Sequence, residues 1–593
     1  MMGRVFLLLF AAFLPNCSGY NSKWHYECTD GYCEKTLITE NTTSPLSLAE
    51  CNILCLDYAS VWPQPTGNIS IDNLTLIDVS AFSFTSEENT TISSLVEAAF
   101  GIFTCQFTLQ LPRKPFLRNA SSNGSAVQVQ FEITDQDTEQ LSFGTNESYT
   151  VRGLATDDGA INVTITAETF FGARHALETL SQLVVFDDLR NRTLFPASIA
   201  VSDQPAFNWR GVCLDTARNY ITPKAIKRTL RAMAASKLNT FHWHLTDTAS
   251  FPYVSSSHPE LSEYGAYSSS KVYTDDDVKS IIEYARVRGI RVVPELDSPA
   301  HVGEGWQTSG VLTCFNQKPW TDYCAEPPCG QFDPSQSGVY DILEDLYGDL
   351  LTQFGTDVFH MGGDEVNVAC WNITSNLTAW MVDEMGWGLS KSDFQEKVWP
   401  YFQNESAQRL YKQAGAQIPI ILWSSDLTAL DNVTSILPPE DYIIQIWDSA
   451  DSSSIQTLLS QNYSVILSNY DGLYLDCGFA GWVTNGTNWC SPYKGWQTVY
   501  DNKPVNIAGT SVAQVLGGET VLWTEEAESD TVDSRLWPRA AAFAETLWSA
   551  PETTWEAAEE RMLFHRERLV ALGIGADALQ PEWCRRNQQN CPT

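Results

Sequence analysis

Asp357-Val358-Phe359-His360-Met361-Gly362-Gly363-Asp364-Glu365 joins a short apolar run to a glycine pair and two adjacent carboxylates. The apolar part reads as a buried strand, and the glycines as the turn that ends it. A strand finishing in acids holds carboxyl groups rigidly at the mouth of a sheet or barrel. Two carboxyls that flank a glycosidic bond normally face each other across it. Neighbours in sequence do not obviously do so, and the pair needs a different division of labour.

Outward from this stretch the same pattern recurs. Apolar runs at 209–214, 240–244, 291–294, 358–361, 419–423, 442–447, 465–467 and 521–523 alternate with amphipathic segments such as 222–235 and 275–288. Continuous apolar strands separated by helices indicate a parallel sheet covered on both faces. Eight such units predict an α/β fold, a (β/α)8 TIM barrel, over 206–593 with a C-terminal helical extension. No Gly-x-Gly-x-x-Gly turn supports an open doubly wound sheet. Residues 61–205 mix short alternating strands with helical runs such as 171–183 and predict a smaller α+β domain. Residues 20–60 form a polar, Cys-rich segment.

Arg4, the apolar run from Val5 to Leu14 and a small-residue exit near Gly19 predict a secretory signal peptide over 1–19. Later segments fall short of the ~20 apolar residues a membrane span requires, so no membrane partner is expected. Asn-x-Ser/Thr sequons recur from Asn41 to Asn485, as in a secreted glycoprotein. Of 15 Cys, Cys17 leaves with the signal; the remainder suit disulfides. Local pairs are expected at Cys477/Cys490 and Cys584/Cys591, and within the groups Cys28/Cys33/Cys51/Cys55 and Cys314/Cys324/Cys329/Cys370. Cys213, in an apolar strand, reads as a free buried thiol. No Cys/His cluster has zinc spacing, and neither metal nor cofactor is expected. The formal charge of −36 excludes a nucleic-acid partner, which demands a basic surface.

The C-terminal strand ends of a barrel carry its chemistry. Here they supply Arg210…Asp215-Thr216-Ala217-Arg218, His242-Trp243-His244-Leu245-Thr246-Asp247, Glu295-Leu296-Asp297…His301, Asp364-Glu365, Trp423, Trp447, Tyr474-Leu475-Asp476 and Trp523-Thr524-Glu525. Any one has a bland explanation; their convergence does not. Aromatic rings stack on apolar sugar faces, and carboxylates with Arg bind hydroxyls, so the set indicates a carbohydrate site.

His360-Met361-Gly362-Gly363-Asp364-Glu365, His242-x-His244-Leu245-x-Asp247 and Arg210-Gly211 resemble family 20 glycoside hydrolases, the β-N-acetylhexosaminidases, from about residue 60 to the C-terminus. Cys324-Ala325-Glu326-Pro327-Pro328-Cys329-Gly330 and Asn469 to Gly478 are especially similar to insect-type chitooligosaccharidolytic members. The resemblance implies an exo-acting, retaining hydrolase that releases terminal β-linked N-acetylglucosamine through an oxazolinium formed by the substrate's own acetamido group. It implies Glu365 as acid and base, Asp364 orienting the acetamido N–H, and Tyr474 holding its carbonyl oxygen. Trp423, Trp447 and Trp523 would box its methyl group. Arg210, Asp476 and Glu525 would bind hydroxyls, and Asp247 and His301 would support the acid. Trp489 would stack on the next sugar, beside Glu326; its neighbour Ala325 departs from the bulkier residue of close relatives. The implied partner is a chitooligosaccharide or a GlcNAc-terminated glycan, and the implied assembly a homodimer. An N-glycan-processing or lysosomal hexosaminidase, and an inactive chitin-binding protein, are the alternatives.

Overall fold

The computed structural model describes residues 22–110, 124–157 and 159–591. The expected signal peptide and the sequons at Asn119 and Asn123 lie outside the described residues. Two strands, Trp24–Thr29 and Tyr32–Leu37, form an N-terminal hairpin stapled to the helix Leu48–Cys55 by Cys28–Cys55 and Cys33–Cys51. Ser47 starts that helix with a capping box against Glu50, satisfying two otherwise free backbone donors. A six-stranded sheet follows, from Ile69–Thr85 to Arg192–Asp203. The strand Ser125–Ile133 alternates buried and exposed residues, as a sheet with one covered face requires. The cover includes the helix Phe170–Gln182, every residue of which is buried because the barrel closes its other side.

The barrel strands are β1 (Trp209–Asp215), β2 (Thr240–Thr246), β3 (Arg291–Leu296), β4 (Phe359–His360), β5 (Ile420–Trp423), β6 (Tyr442–Ile446), β7 (Ser464–Leu467) and β8 (Val515–Leu522). They close in sequence order, all parallel, with β8 pairing back to β1. The expected eight-stranded barrel is therefore present. Strands β1, β2 and β3 are buried throughout, which is why they read as unbroken apolar runs. β8 begins six residues before its expected start. Gly517, Gly518 and Glu519 interrupt its apolar pattern, yet a Cβ at Gly517 would lie 1.8 Å from the Trp209 carbonyl oxygen, so only glycine fits beside β1 there. β4 is shorter than expected. Its ladder continues as separate bonds, Met361 N–H to the Ile421 carbonyl at 3.0 Å and Trp423 N–H to the Gly362 carbonyl at 2.9 Å.

Beneath the barrel, a buried ion-pair network joins it to the small domain. Arg210 donates to both oxygens of Glu147 at 3.0 and 2.6 Å; His175 lies 2.8 Å from the same carboxylate, and Asn239 donates to it at 2.9 Å. Lys237 meets Asp203 at 2.8 Å, and the Trp548 indole donates to that Asp at 2.9 Å. Burial opposes ionisation of Glu147, but Arg210 and His175 outweigh it and hold its carboxyl well below the usual range. The N-terminal hairpin meets the C-terminal segment as well: Cys33 N–H donates to Gln588 at 2.6 Å, next to the Cys584–Cys591 disulfide. The remaining disulfides are Cys314–Cys370, Cys324–Cys329 and Cys477–Cys490, and Cys213 and Cys105 are free. Among the described residues, no helix is long and apolar enough to cross a membrane.

Candidate active site

The strand ends open on a cavity of about 430 Å³ lined by carboxylates, tryptophans and residues 479–484 and 487–489. Its floor explains the glycine pair. Gly362 has φ of +66°, and a Cβ there would fall 1.7 Å from Asp297 Oδ1. The space goes to the Asp297 carboxylate, which accepts from Gly363 N–H at 2.8 Å. The turn places Asp364 half-buried on the floor and Glu365 exposed to the cavity. Glu365 has φ of +52° and His301 +57°. Left-handed backbone at two non-glycine residues is costly and persists where surrounding structure enforces it, as at reaction centres.

The two strained residues meet. His301 Nε2 lies 3.3 Å from Glu365 Oε2 and 4.0 Å from Asp364 Oδ1, while its Nδ1 is 3.2 Å from Asp247 Oδ2. Burial disfavours a charged His301, but Asp247 and Asp297 overcome it and raise its pKa well above the ordinary imidazole value. Burial likewise opposes the charge on Asp247; Arg218, 3.0 Å away, and His301 outweigh it and keep that carboxyl well below its usual range. Burial, with the charge of Glu365 opposing that of His301, pushes Asp364 up to about 6. Burial pushes Asp476 up to about 7. Asp364 Oδ1 and Asp476 Oδ1 are buried oxygens without a hydrogen-bond donor in the protein. Such atoms are costly unless something else supplies the donor, and both lie at residues that line the cavity.

Aromatic rings form the walls. Tyr474 stands edge-on to Trp489 and Trp523, with centroids 6.3 and 6.2 Å away. Trp447 is also edge-on to Trp489 at 6.2 Å, its indole donating to the Ser424 carbonyl at 2.6 Å. Trp489 is 67% exposed, the most open large apolar side chain among those described. Trp423 lies under the floor, 5.9 Å from Trp523, with its indole donating to Glu295 at 2.7 Å. Glu295 also gathers His242, His244 and His360 at 2.9, 2.6 and 3.3 Å. His242 and His244 are thus tied to carboxylates within the barrel.

The structure brings Glu365, Asp364, Tyr474, His301, Trp447, Asp476, Trp489, Trp523, Glu525 and Glu326 around one cavity, with Asp247 and Trp423 directly behind it. Arg210 is the exception and corrects the expectation. It is fully buried at the start of β1, at the opposite end of the barrel, and its guanidinium is consumed by Glu147 and by the carbonyls of Phe207 and Lys237. Arg218, three residues past the end of β1, lines the cavity instead. It reaches Glu326 at 2.8 Å and lies over the Trp523 ring at 5.0 Å. Arg210→Ala is expected to cost about 3–5 kcal/mol of stability by stranding buried Glu147, with KM unchanged in the surviving protein; Arg218→Ala, which also strands buried Asp247, should raise KM in addition to costing stability. Thermal unfolding combined with steady-state kinetics separates the two. Asp297, half of the floor, is the further residue that belongs to the site.

The profile "Glycosyl hydrolase family 20, catalytic domain" matches residues 207–551, and the profile "beta-acetyl hexosaminidase like" matches residues 61–183. The chain is 46% identical to the chitooligosaccharidolytic beta-N-acetylglucosaminidase of Ostrinia furnacalis, over 96% of this chain and 95% of that protein. It is 45% identical to the protein of the same name from Bombyx mori, over 98% and 97%. Among solved structures, a chitobiase from Flavobacterium johnsoniae superposes with a TM-score of 0.68 at 26% identity, covering 87% of this chain and 73% of that one.

Proposed function

Since the chain belongs to glycosyl hydrolase family 20, we propose that it is an exo-acting β-N-acetylglucosaminidase that trims chitooligosaccharides from the non-reducing end with retention of configuration. The observation that carries this reading is the pairing of Glu365, in contact with His301, with Asp364 Oδ1, which lacks any protein donor. One acid is free to serve the leaving group and its neighbour the acetamido arm.

In this mechanism the acetamido carbonyl oxygen attacks the anomeric carbon as the glycosidic C–O bond breaks. The departing oxygen takes the proton of Glu365. Asp364 accepts from the acetamido N–H and stabilises the oxazolinium, Tyr474 donates to the oxygen that attacks, and Trp447 and Trp523, with Trp423 packed behind them, hold the group in attack geometry. Water then attacks the same carbon, giving its proton to Glu365, and the acetamido group is restored. His301, clamped by Asp247, orients Glu365. Arg218, Asp476 and Glu525 bind the terminal sugar's hydroxyls and close the cavity behind it, which favours exo action. Trp489 offers its exposed face to the next sugar beside Glu326.

Comparison of kcat/KM on chitobiose and on a branched N-glycan tests the reading; preference for the glycan would move the protein to the glycan-processing branch of the family. Absence of p-nitrophenyl N-acetylglucosaminide cleavage would favour an inactive chitin-binding protein. Trp489→Ala is expected to raise KM for chitobiose by roughly three- to tenfold, the equivalent of one lost stacking contact, without changing hydrolysis of a GlcNAc oxazoline, which has no second sugar. Secretion and a homodimer complete the proposal; light scattering of the purified protein checks the second.

A further inference from the structure

The segment between the cavity's second-sugar wall and its outer mouth carries Asn485-Gly486-Thr487, a sequon. Cys477–Cys490 ties the base of this segment to the barrel end that bears Tyr474 and Asp476. Above the disulfide the chain folds into a small antiparallel finger. Ala480 bridges Thr487, Asn488 N–H donates to the Phe479 carbonyl at 3.1 Å, and Gly481 N–H donates to the Gly486 carbonyl at 2.9 Å. Gly486 turns the tip with φ of +124°. Asn485 is exposed at that tip, between Thr484 and Thr487, both of which line the cavity. Among the described sequons, Asn485 alone lies in a segment that lines the cavity. The finger also exposes Trp482 and Val483, at 46% and 41%, and an oligosaccharide rooted beside them would cover apolar surface that is otherwise open to solvent.

We propose that Asn485 carries an N-linked oligosaccharide, and that this glycan stands at the cavity rim as a size filter, passing slender linear chains and holding bulky branched glycans away. The six disulfides suit an oxidising compartment, where the donor for this modification is a lipid-diphosphate-linked oligosaccharide. The Asn485 amide nitrogen forms a bond to C1 of that donor. The C1–O bond to the diphosphate breaks, the lipid diphosphate leaves with the electron pair, and the amide proton passes to a base. No oxidant or reductant is involved. The attached core is larger than the cavity of about 430 Å³ whose rim it occupies, so it stays outside and restricts approach rather than filling the sugar site. Asn485 itself does not line the cavity, so its replacement is expected to leave the sugar-binding side chains in place.

The filter rests on the reading of the cavity as a chitooligosaccharide site; the modification does not. The test uses full-length protein secreted from a eukaryotic host. Peptide:N-glycosidase release in heavy-oxygen water, followed by peptide mass spectrometry, is expected to tag Asn485. Asn485→Gln is expected to leave kcat/KM on chitobiose unchanged and to raise it on a branched, GlcNAc-terminated glycan by about fivefold. Enzymatic trimming of the glycan on folded wild-type protein should give the same shift, so the prediction survives a poorly folding variant. An untagged Asn485 peptide overturns the site. A tagged peptide with identical selectivity before and after trimming overturns the filter. A tagged peptide on a protein inactive toward both substrates sinks the proposed function while leaving the modification standing.

Discussion

Glu365→Gln is expected to lower kcat/KM on chitobiose by roughly a thousandfold, inside the ~10²–10⁴ range that a positioned proton donor contributes. The side chain keeps its size and its neighbour His301, 3.3 Å away, so the loss is one of proton transfer and not of packing. The sugar alkoxide released from chitobiose cannot leave without a proton. An aryl leaving group that departs as a stable anion needs far less help, so the deficit on a nitrophenyl glycoside should be smaller at the bond-breaking step. Initial rates on the two substrates, measured side by side, give the ratio. A variant that cleaves chitobiose at near wild-type rate would end the assignment of Glu365.

Asp364→Asn removes the negative charge that balances the oxazolinium, and about 10²–10³ in kcat is the expected loss for one such electrostatic contact. The pH profile adds a second reading. Burial, together with the neighbouring Glu365, pushes Asp364 up to about 6. Its charged form is the working one, so wild-type kcat/KM should fall as pH drops through about 6, when Asp364 takes up a proton. That limb should vanish in the Asn variant, whose residual rate no longer depends on this ionisation. A plain β-glucoside, which lacks the acetamido arm, should be a poor substrate even for the wild type. Efficient glucoside hydrolysis, or an unchanged acidic limb in Asp364→Asn, would contradict substrate assistance.

The barrel was legible because strands buried on both faces spell themselves as unbroken apolar runs, as in Trp209–Asp215. β8 was read short because Gly517 and Gly518 serve close backbone approach rather than hydrophobic burial, and Glu519 is spent on the Trp209 indole and His242 inside the barrel. The site was legible where side chains leave strand ends in the expected direction. Arg210 shows the limit of matching a motif without its geometry. It opens β1, whereas barrel chemistry gathers where strands finish, and Arg218 was already visible three residues beyond that finish. The pairing of Arg210 with Glu147 was not readable at all, because it joins residues 63 positions apart across two domains. Nor was the strain at His301 and Glu365, which only the fold imposes.

That same Glu147–Arg210 pair has a consequence for inheritance rather than for chemistry. A substitution at Glu147, far from any sugar, would leave every kinetic constant of the surviving molecules intact. It would also strand a guanidinium in a dry interface and enlarge the unfolded fraction that quality control removes. The phenotype would be scarcity: too few copies of a fully competent enzyme, remediable by slower turnover or a stabilising ligand and invisible to an assay normalised to folded protein.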